Sequence, residues 1–167
     1  GGVIGVEFAS AWRSLGAEVT IIEGLDRLLP TEDVTSSTAL ARAFRKRGIK
    51  SSLGVRVSRV ESATDSVTVT LDDDTVHVAD YVLVAVGRGP ATSAIGLEEA
   101  GVRTDHGFVV VDEQLRTSVD GVWAVGDIVA GLQLAHRGFQ QGIFVAEHIA
   151  GLSPVPVAES ATPRVTY

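Results

Sequence analysis

The sequence predicts an α/β fold with a mainly parallel sheet, helices and a β-meander. Segments with apolar residues at helical spacing alternate along the chain with short runs rich in Val, Ile and Thr, an order typical of parallel strands joined by helices. The chain has 167 residues, of which 45% are hydrophobic, so it is long enough to bury a core and does not have a disordered composition. We therefore expect one domain or two small ones.

The first half of the chain predicts two helices and several strands. In order, the sequence indicates a helix over 6–17, a strand over 18–23, a helix over 31–48, strands over 51–62 and 65–74, and one or two strands within 75–87. Gly16 is a natural stop for the first helix, and acidic residues early and basic residues late support the second. The run YVLVAV, 81–86, is apolar throughout, so we expect a strand that is buried on both faces.

The sequence pattern changes at GRGP, 87–90, where the regular alternation of predicted helices and strands ends. Irregular sequence leads to Val-rich runs at 107–112 and 120–127, a helix over 134–151, a linker over 152–163, and RVTY, 164–167, as the start of a further strand. The linker is indicated by its Pro and Ser content. We expect the run at 120–127 to be a short strand that ends at Asp127.

Charge and composition exclude several classes of function. The chain has 14 basic and 21 acidic residues and a net charge of −7, and its densest basic cluster, 42–50, contains apolar residues typical of a helix end, so no nucleic-acid partner is expected. No apolar run approaches the ~20 residues that a membrane-spanning helix needs. The chain has no cysteine, which excludes disulfides, thiolate metal sites and thiol chemistry within it. The acidic run 72–74 is expected to be a solvated turn, so no metal site is predicted.

The opening GGVIGVEFAS, 1–10, is similar to the second half of a G-x-G-x-x-G turn. Such a turn offers backbone N–H groups at a helix N-terminus to a pyrophosphate; Gly2 leaves room for the phosphate and Gly5 lets the helix pack closely on its strand. Glu23 ends a predicted strand, where a carboxylate accepts hydrogen bonds from the adenosine ribose and repels a 2′-phosphate. The pattern predicts a Rossmann-like nucleotide site that prefers NAD to NADP, although such turns also occur for packing alone.

A second pattern joins VWAVGD, 122–127, to GLQLAH, 131–136. The predicted strand would deliver Asp127 at its carboxyl end, the edge at which ligands sit in open α/β sheets. The helix that starts at LAH, 134–136, has free N–H groups that could hold an anionic oxygen. Asp127 could also be a capping residue of a turn and nothing more. Together the two features suit a second nucleotide cofactor, whose identity these residues leave open.

Five segments carry a resemblance to a known family: GGVIGVEFAS, VTIIEGLDRLLP, VLVAVGRGP, VWAVGDIVAGLQLAHRGFQQG and PRVTY. Their order and the separations between them resemble those in the dihydrolipoamide dehydrogenases. These enzymes are FAD-dependent flavoprotein disulfide reductases, a family also called the class I pyridine nucleotide-disulfide oxidoreductases. The resemblance covers nearly the whole chain, and QLAHRG is its most specific part. Glutathione and mercuric reductases share the Gly-Asp signature but usually differ at LAH.

The resemblance implies an organisation of the chain. Residues 1–86 would be the NAD-binding domain without its first strand, 87–152 the C-terminal segment of the FAD-binding domain, and 153–167 a linker and the start of the dimerisation domain. Because the sequence starts within the glycine-rich turn, we expect an internal fragment. The family's redox cysteine pair and His–Glu base pair would lie outside this stretch, so no catalytic residue is expected within it.

The resemblance also implies site residues. The NAD site would use Gly1, Gly2, Val3, Ile4, Gly5, Val6, Glu7, Glu23, Val57 and Gly87. Glu7 would face the nicotinamide end, the backbone of Val57 would meet the adenine, and Gly87 would lie where the sheet edge meets the nicotinamide half. The FAD site would use Asp127 at the ribityl or phosphate region and, along the isoalloxazine with backbone N–H groups facing its N1/O2 edge, Gln133, Leu134, Ala135 and His136.

The activity that this resemblance implies belongs to a larger parent protein. That parent would be a cytoplasmic homodimer that oxidises dihydrolipoyl groups of 2-oxoacid dehydrogenase or glycine cleavage complexes, through an enzyme disulfide and FAD, and passes hydride to NAD⁺. The fragment alone is expected to be inactive. Two alternatives stay open: another flavoprotein disulfide reductase, similar to mercuric or glutathione reductase, and a non-catalytic nucleotide-binding module.

Overall fold

The computed structural model describes residues 1–167, which form two compact units. One unit comprises residues 1–87 together with 166–167, and the other comprises residues 88–165. Each unit has its own cluster of buried apolar side chains. The three-part organisation that the resemblance implies stays a prediction.

The first unit contains two helices, a parallel strand pair and a three-stranded meander. Its elements are α1 (Val3–Ser14), β1 (Thr20–Glu23), α2 (Val34–Lys46), β2 (Lys50–Leu53), β3 (Val57–Ser62), β4 (Val67–Leu71) and β5 (Val76–Ala79). β1 pairs with β2 in parallel, with Glu23 opposite Leu53, and β3, β4 and β5 are antiparallel neighbours in that order. The predicted α/β class and the meander are confirmed, while parallel ladder pairing is confined to β1 and β2.

Local signals explain where the two helices begin and end. Helix α1 stops before Gly16, whose φ of 97° is easily adopted only by glycine. Helix α2 follows Asp33, because Oδ1 of Asp33 accepts the N–H of Thr35 at 2.7 Å and caps the first turn. Compared with the prediction, α1 begins earlier, at Val3, and α2 is shorter at both ends. The glycine-rich turn is therefore already the first turn of α1.

The core of the first unit lies between α1, β1 and α2. Its buried side chains are Val6, Ala9, Ile21, Leu28, Leu29, Phe44 and Ile49. At the rim, the guanidinium group of Arg13 donates to the carbonyl of Arg47 at 2.6 Å, and Arg47 donates to Oγ of Ser10 at 2.6 Å and Oγ of Ser14 at 2.8 Å. These bonds and the shared core hold α1 in place, with its first turn beside the end of β1.

The apolar run 81–86 is extended but belongs to no sheet. Several of its side chains are exposed, with Tyr81 at 82%, Val84 at 73% and Val86 at 93% of their full accessible surface. The prediction of a strand buried on both faces is therefore wrong for this structure. Apolar, β-branched side chains favour an extended backbone, but a ladder also needs a neighbouring strand, and no strand of the chain pairs with this run.

The second unit consists mainly of turns around a small core. Its elements are β6 (Thr104–Asp105), β7 (Phe108–Val109), a 3-10 helix (Gly126–Ile128), α3 (Ala135–Ile149) and a second 3-10 helix (Glu159–Ala161). The buried apolar side chains are Val102, Val109, Ala124 and Val129. The predicted helix over 134–151 is confirmed as α3. None of the helices combines the length and the apolar character that crossing a bilayer requires.

Two of the strands predicted for the second half do not form. The run 120–127 makes a single bridge, between Trp123 and Arg116, because Gly126 adopts a φ of 75° and turns the backbone into the 3-10 helix. The run 164–167 pairs with no strand. Asp127 therefore lies in the middle of a 3-10 helix rather than at the end of a strand.

Candidate functional site

The N-terminus of α1 is open to an anionic ligand. Gly2 precedes the helix with extended backbone angles (φ −73°, ψ −178°), no side chain caps the first turn, and that turn holds no acidic residue. A Cβ placed on Gly2 would meet no other atom within 4 Å. The unpaired N–H groups of a helix start and the positive end of its dipole attract anions. The geometry therefore suits a phosphate group that approaches the backbone at Gly2.

Glu23 lies directly beside this turn. Its Oε2 is 2.9 Å from the backbone nitrogen of Gly1, and its Oε1 accepts the N–H of Leu25 at 2.8 Å. In the chain of 167 residues, burial raises the pKa of Glu23, but the hydrogen bonds from the nitrogen of Gly1 and from the N–H of Leu25 outweigh burial, so the pKa lies below its ordinary value. The end of β1 thus presents a carboxylate that stays ionised next to the start of α1.

Two glycines of the turn are in close contact with their surroundings. A Cβ on Gly1 would lie 2.7 Å from Oε2 of Glu23, so any other residue at this position would displace that side chain. A Cβ on Gly5 would lie 3.8 Å from Cβ of Ala85, which is an ordinary contact. Gly5 thus faces the run 81–86, but an alanine would fit there, so the need for glycine that the close-packing argument implies stays a prediction. Of the other residues in the turn, Ile4 is half-exposed and Val6 is fully buried.

The remaining residues predicted for the NAD site lie in the same unit. Oε1 of Glu7 accepts the N–H of Tyr167 at 2.9 Å. Gly87 has a φ of 140° and open space where a Cβ would be. The chain before Val57 is tied to the end of β1, since the N–H of Gly54 donates to the carbonyl of Leu25 at 2.8 Å. The structure thus brings together the glycine turn, Glu23 and the segment that leads into β3, which begins at Val57.

The second predicted site is formed by the 3-10 helix and the start of α3. Asp127 is exposed, and its carbonyl accepts Nε2 of Gln133 at 3.3 Å. Leu134 precedes α3 with extended backbone angles, no side chain caps this helix, and its first turn holds no acidic residue. The ring of His136 contacts the carbonyl of Pro163 through Nε2 at 2.9 Å. The side chain of His136 is therefore occupied within the protein, while the backbone at the helix start stays free.

Sequence reasoning missed two buried polar residues of α3. Arg137 and Gln141 are only 3% and 4% exposed, and both contact the backbone around Asp127. With the buried Phe144 they occupy one face of α3, at spacings of four and three residues. This helical register with Phe144 is the signal that could have placed them facing inwards.

The order of these two turns along the chain matches a known family. The family model described as pyridine nucleotide-disulphide oxidoreductase matches residues 1–142. The chain belongs to this family. The predicted resemblance to flavoprotein disulfide reductases is thereby confirmed, and with it the Rossmann-like fold class.

Several relatives of the chain are named dihydrolipoyl dehydrogenase. The protein of that name from Bacillus subtilis is 36% identical over 172 residues, an alignment that takes in 100% of this chain and 36% of the relative. The one from Chlamydia pneumoniae is 42% identical over 168 residues, with 100% and 36% covered. The chain thus spans about a third of the length of the curated relatives it matches.

A solved family member has the same fold. The HOCl-induced flavoprotein disulfide reductase RclA from Escherichia coli superposes with a TM-score of 0.86 at 32% identity, and the match covers 98% of this chain and 37% of RclA. The likeness thus extends over nearly all of the chain in structure as well as in sequence.

FAD and NAD are the cofactors of this family, and the residues present fit both. At α1, the cradle of N–H groups is uncapped and the space that a Cβ of Gly2 would fill is open. At α3, the helix start is likewise uncapped and free of acidic side chains, and the exposed Asp127 precedes it. Neither α1 nor α3 has an acidic residue in its first turn.

Proposed function

We propose that the chain supplies the NAD site and part of the FAD site of a dihydrolipoyl dehydrogenase. The observation that carries this proposal is the placement of Glu23 against the glycine turn at the start of α1. The similarity of the whole chain to proteins named dihydrolipoyl dehydrogenase supports the choice of activity. The parent protein would oxidise dihydrolipoyl groups through an enzyme disulfide and FAD and pass hydride to NAD⁺.

Each predicted site residue has a definite task in this proposal. The N–H groups of Val3, Ile4 and Gly5 bind the pyrophosphate of NAD, and Glu23 accepts hydrogen bonds from the ribose hydroxyls. Glu7 faces the nicotinamide end, Val57 meets the adenine with its backbone, and Gly87 borders the nicotinamide half. Because a carboxylate at Glu23 repels a 2′-phosphate, the site prefers NAD to NADP.

The second site would hold part of FAD. Asp127 would accept hydrogen bonds at the ribityl or phosphate region, and the segment Gln133–His136 would offer backbone N–H groups to the N1/O2 edge of the isoalloxazine. When bound, FAD supplies the route by which two electrons pass from the dihydrolipoyl group to NAD⁺. The positive end of α3 stabilises the negative charge that reduction places at this edge.

The thiol chemistry of the reaction lies outside this chain, because the chain has no cysteine. We therefore place the redox cysteine pair and the His–Glu base pair in other segments of the parent protein. The parent would be a cytoplasmic homodimer that serves 2-oxoacid dehydrogenase or glycine cleavage complexes. The chain by itself could bind a nucleotide but would not catalyse the oxidation of dihydrolipoyl groups.

An assay of the full-length protein tests this function. The purified protein is mixed with dihydrolipoamide and either NAD⁺ or NADP⁺, and formation of the reduced nucleotide is followed by its absorbance. Turnover with NAD⁺ and little with NADP⁺ is the expected result. The isolated chain of 167 residues serves as the negative control. Turnover by this chain alone, verified by mass, would overturn the placement of the thiols elsewhere.

A second candidate function is that of another flavoprotein disulfide reductase, and the likeness to RclA is the observation that favours it. The same preparation is therefore assayed with NADH or NADPH against glutathione disulfide and mercuric ion. Activity in these assays, with none on dihydrolipoamide, selects this alternative. The intact mass of the protein isolated from its source distinguishes a third possibility. A mass of 17.5 kDa, that of this chain alone, would favour a non-catalytic nucleotide-binding module.

A further inference from the structure

Two polar side chains of α3 are buried against the turn that carries Asp127. Arg137 is 3% exposed and Gln141 is 4% exposed, although Arg and Gln are rarely buried unless their polar atoms are paired. They lie four residues apart on one face of the helix, and that face meets the segment 126–130. Two such burials on one short segment call for a specific reason.

Both side chains bond to backbone atoms on either side of Asp127. Oε1 of Gln141 accepts the N–H of Gly126 at 2.7 Å. The guanidinium group of Arg137 donates to the carbonyl of Ala130 at 2.7 Å and to that of Gly126 at 3.4 Å, and it forms an ion pair with Glu159. The residue before Asp127 and the chain three residues beyond it are thereby fixed to α3.

The 3-10 helix at Asp127 has little support of its own. It is three residues long, and the carbonyl of Gly126 accepts the N–H of Val129 at 3.0 Å. Short 3-10 segments have poor hydrogen-bond geometry and depend on their surroundings. Gly138 lets α3 approach this turn, since a Cβ there would lie 3.3 Å from Cα of Gly126. The orientation of Asp127 therefore depends on α3.

We infer that Arg137 and Gln141 are positioning residues for Asp127 at the FAD site, an inference that rests on the proposed function. Neither side chain reaches the carboxylate of Asp127; both act through the backbone that carries it. Because the backbone at Asp127 is already fixed before FAD binds, less conformational entropy is lost on binding. Preorganised groups bind a ligand more tightly for that reason. Loss of either side chain would weaken the binding of FAD even in a variant that folds normally.

Variants of Gln141 separate positioning from simple packing. Gln141→Leu fills the same space but leaves the N–H of Gly126 without an acceptor, whereas Gln141→Glu keeps an acceptor at that position. The dissociation constant of FAD is measured on the full-length protein by quenching of flavin fluorescence, and the melting temperature is measured without and with FAD. The loss of one hydrogen bond predicts an affinity about tenfold weaker for Gln141→Leu and near wild type for Gln141→Glu.

Arg137→Met provides a second variant, and Arg116→Met is its matched control. Arg116 also forms an ion pair, with Asp112, but both partners are exposed and the guanidinium group bonds only to Asp112 and Gln114, not to the segment 126–130. We expect FAD affinity to fall about tenfold or more in Arg137→Met and to stay unchanged in Arg116→Met. The gain in melting temperature on adding FAD should shrink only in Arg137→Met and Gln141→Leu.

The outcomes distinguish this inference from the proposed function. A wild-type protein that does not bind FAD overturns both. A wild-type protein that binds FAD, with folded Gln141→Leu and Arg137→Met variants of unchanged affinity, overturns the positioning role alone. Equal losses in Gln141→Leu and Gln141→Glu also contradict it, because the acceptor would then not matter. If one variant fails to fold, the other decides.

Discussion

The backbone nitrogen of Gly1 lies 2.9 Å from Oε2 of Glu23, at the point where the end of β1 meets the start of α1. This contact leaves no room for a Cβ on Gly1, because such an atom would come within 2.7 Å of the same oxygen. The glycine and the carboxylate therefore depend on each other. They place an ionised oxygen next to an uncapped helix start, an arrangement that suits a ribose and a pyrophosphate in adjacent positions.

Replacing Glu23 by alanine tests the ribose contact. In the full-length protein, Glu23→Ala should weaken NAD⁺ binding by about 1.5–3 kcal/mol, the value of a hydrogen bond to a charged group. The preference for NAD⁺ over NADP⁺ should narrow, because the charge that repels a 2′-phosphate is gone. Titration with both nucleotides measures the two dissociation constants.

Glu18→Ala is the matched control, since Glu18 is an exposed acid two residues before β1, at the opposite end of that strand from Glu23. It should leave both affinities unchanged. An unaltered dissociation constant for NAD⁺ in Glu23→Ala would mean that Glu23 does not hold the ribose.

The lowered pKa of Glu23 makes the stability of the 167-residue chain depend on pH. A carboxyl group whose pKa is lower in the folded state stabilises that state above its ordinary pKa, and the contribution is lost as the pH falls through the lowered value. Urea unfolding should therefore show stability falling in acid, below about pH 4.5, by more in the wild type than in Glu23→Gln. Asp33 and Asp73 also have lowered pKa values but are present in both proteins, so the difference reports Glu23. Parallel pH curves would contradict this assignment.

Local signals carried most of the sequence-based prediction of the first unit. Gly16 and the cap at Asp33 act on their own helix, so their effect can be inferred without knowing the rest of the fold. The end of β1 at Glu23 was predictable for the same reason. The run 81–86 was not, because its apolar side chains indicate an extended backbone but not the strand it would pair with.

The second unit shows where residue type alone misleads. A single backbone angle at Gly126 turns the predicted strand into a 3-10 helix, and glycine is compatible with either conformation. Arg137 and Gln141 are typical of an exposed helix face, yet they are buried because the turn opposite supplies one N–H and two carbonyls. Their spacing from Phe144 could indicate an inward-facing position, but the backbone groups that pair with them come from another segment and cannot be inferred from spacing.

The start of α3 offers a test of backbone against side chain. The ring of His136 contacts Pro163, so its truncation in His136→Ala should shift the potential of bound FAD little. His136→Pro removes one N–H in the first turn of α3, where proline disturbs a helix less than it does in the interior. It should make the flavin harder to reduce, as the helix start would lose part of a stabilisation worth about 0.3–2 kcal/mol. Redox titration of folded, FAD-loaded proteins measures both; equal potentials in wild type and His136→Pro would argue against a role for this N–H.

Two glycines of α3 occupy equivalent helical positions but different surroundings. A Cβ on Gly138 would lie 3.3 Å from Cα of Gly126, whereas a Cβ on Gly142 would meet no atom within 4 Å. Both substitutions to alanine gain helix propensity by the same mechanism. The difference between them therefore isolates the contact with the turn at Asp127.

Gly142→Ala should raise the free energy of unfolding by roughly 0.4–1 kcal/mol, because alanine restricts the unfolded chain and fits the helix. Gly138→Ala should be less stable than Gly142→Ala by about 1–3 kcal/mol, the usual cost of crowding a packed contact, since the opposing atom belongs to the backbone of Gly126 and cannot rotate away. The same variant should bind FAD more weakly, as it pushes the turn that carries Asp127 away from α3. Urea unfolding and FAD titration of the two variants measure these effects. If both alanines stabilise equally and leave FAD affinity unchanged, the close approach of α3 to Gly126 has no part in forming the site.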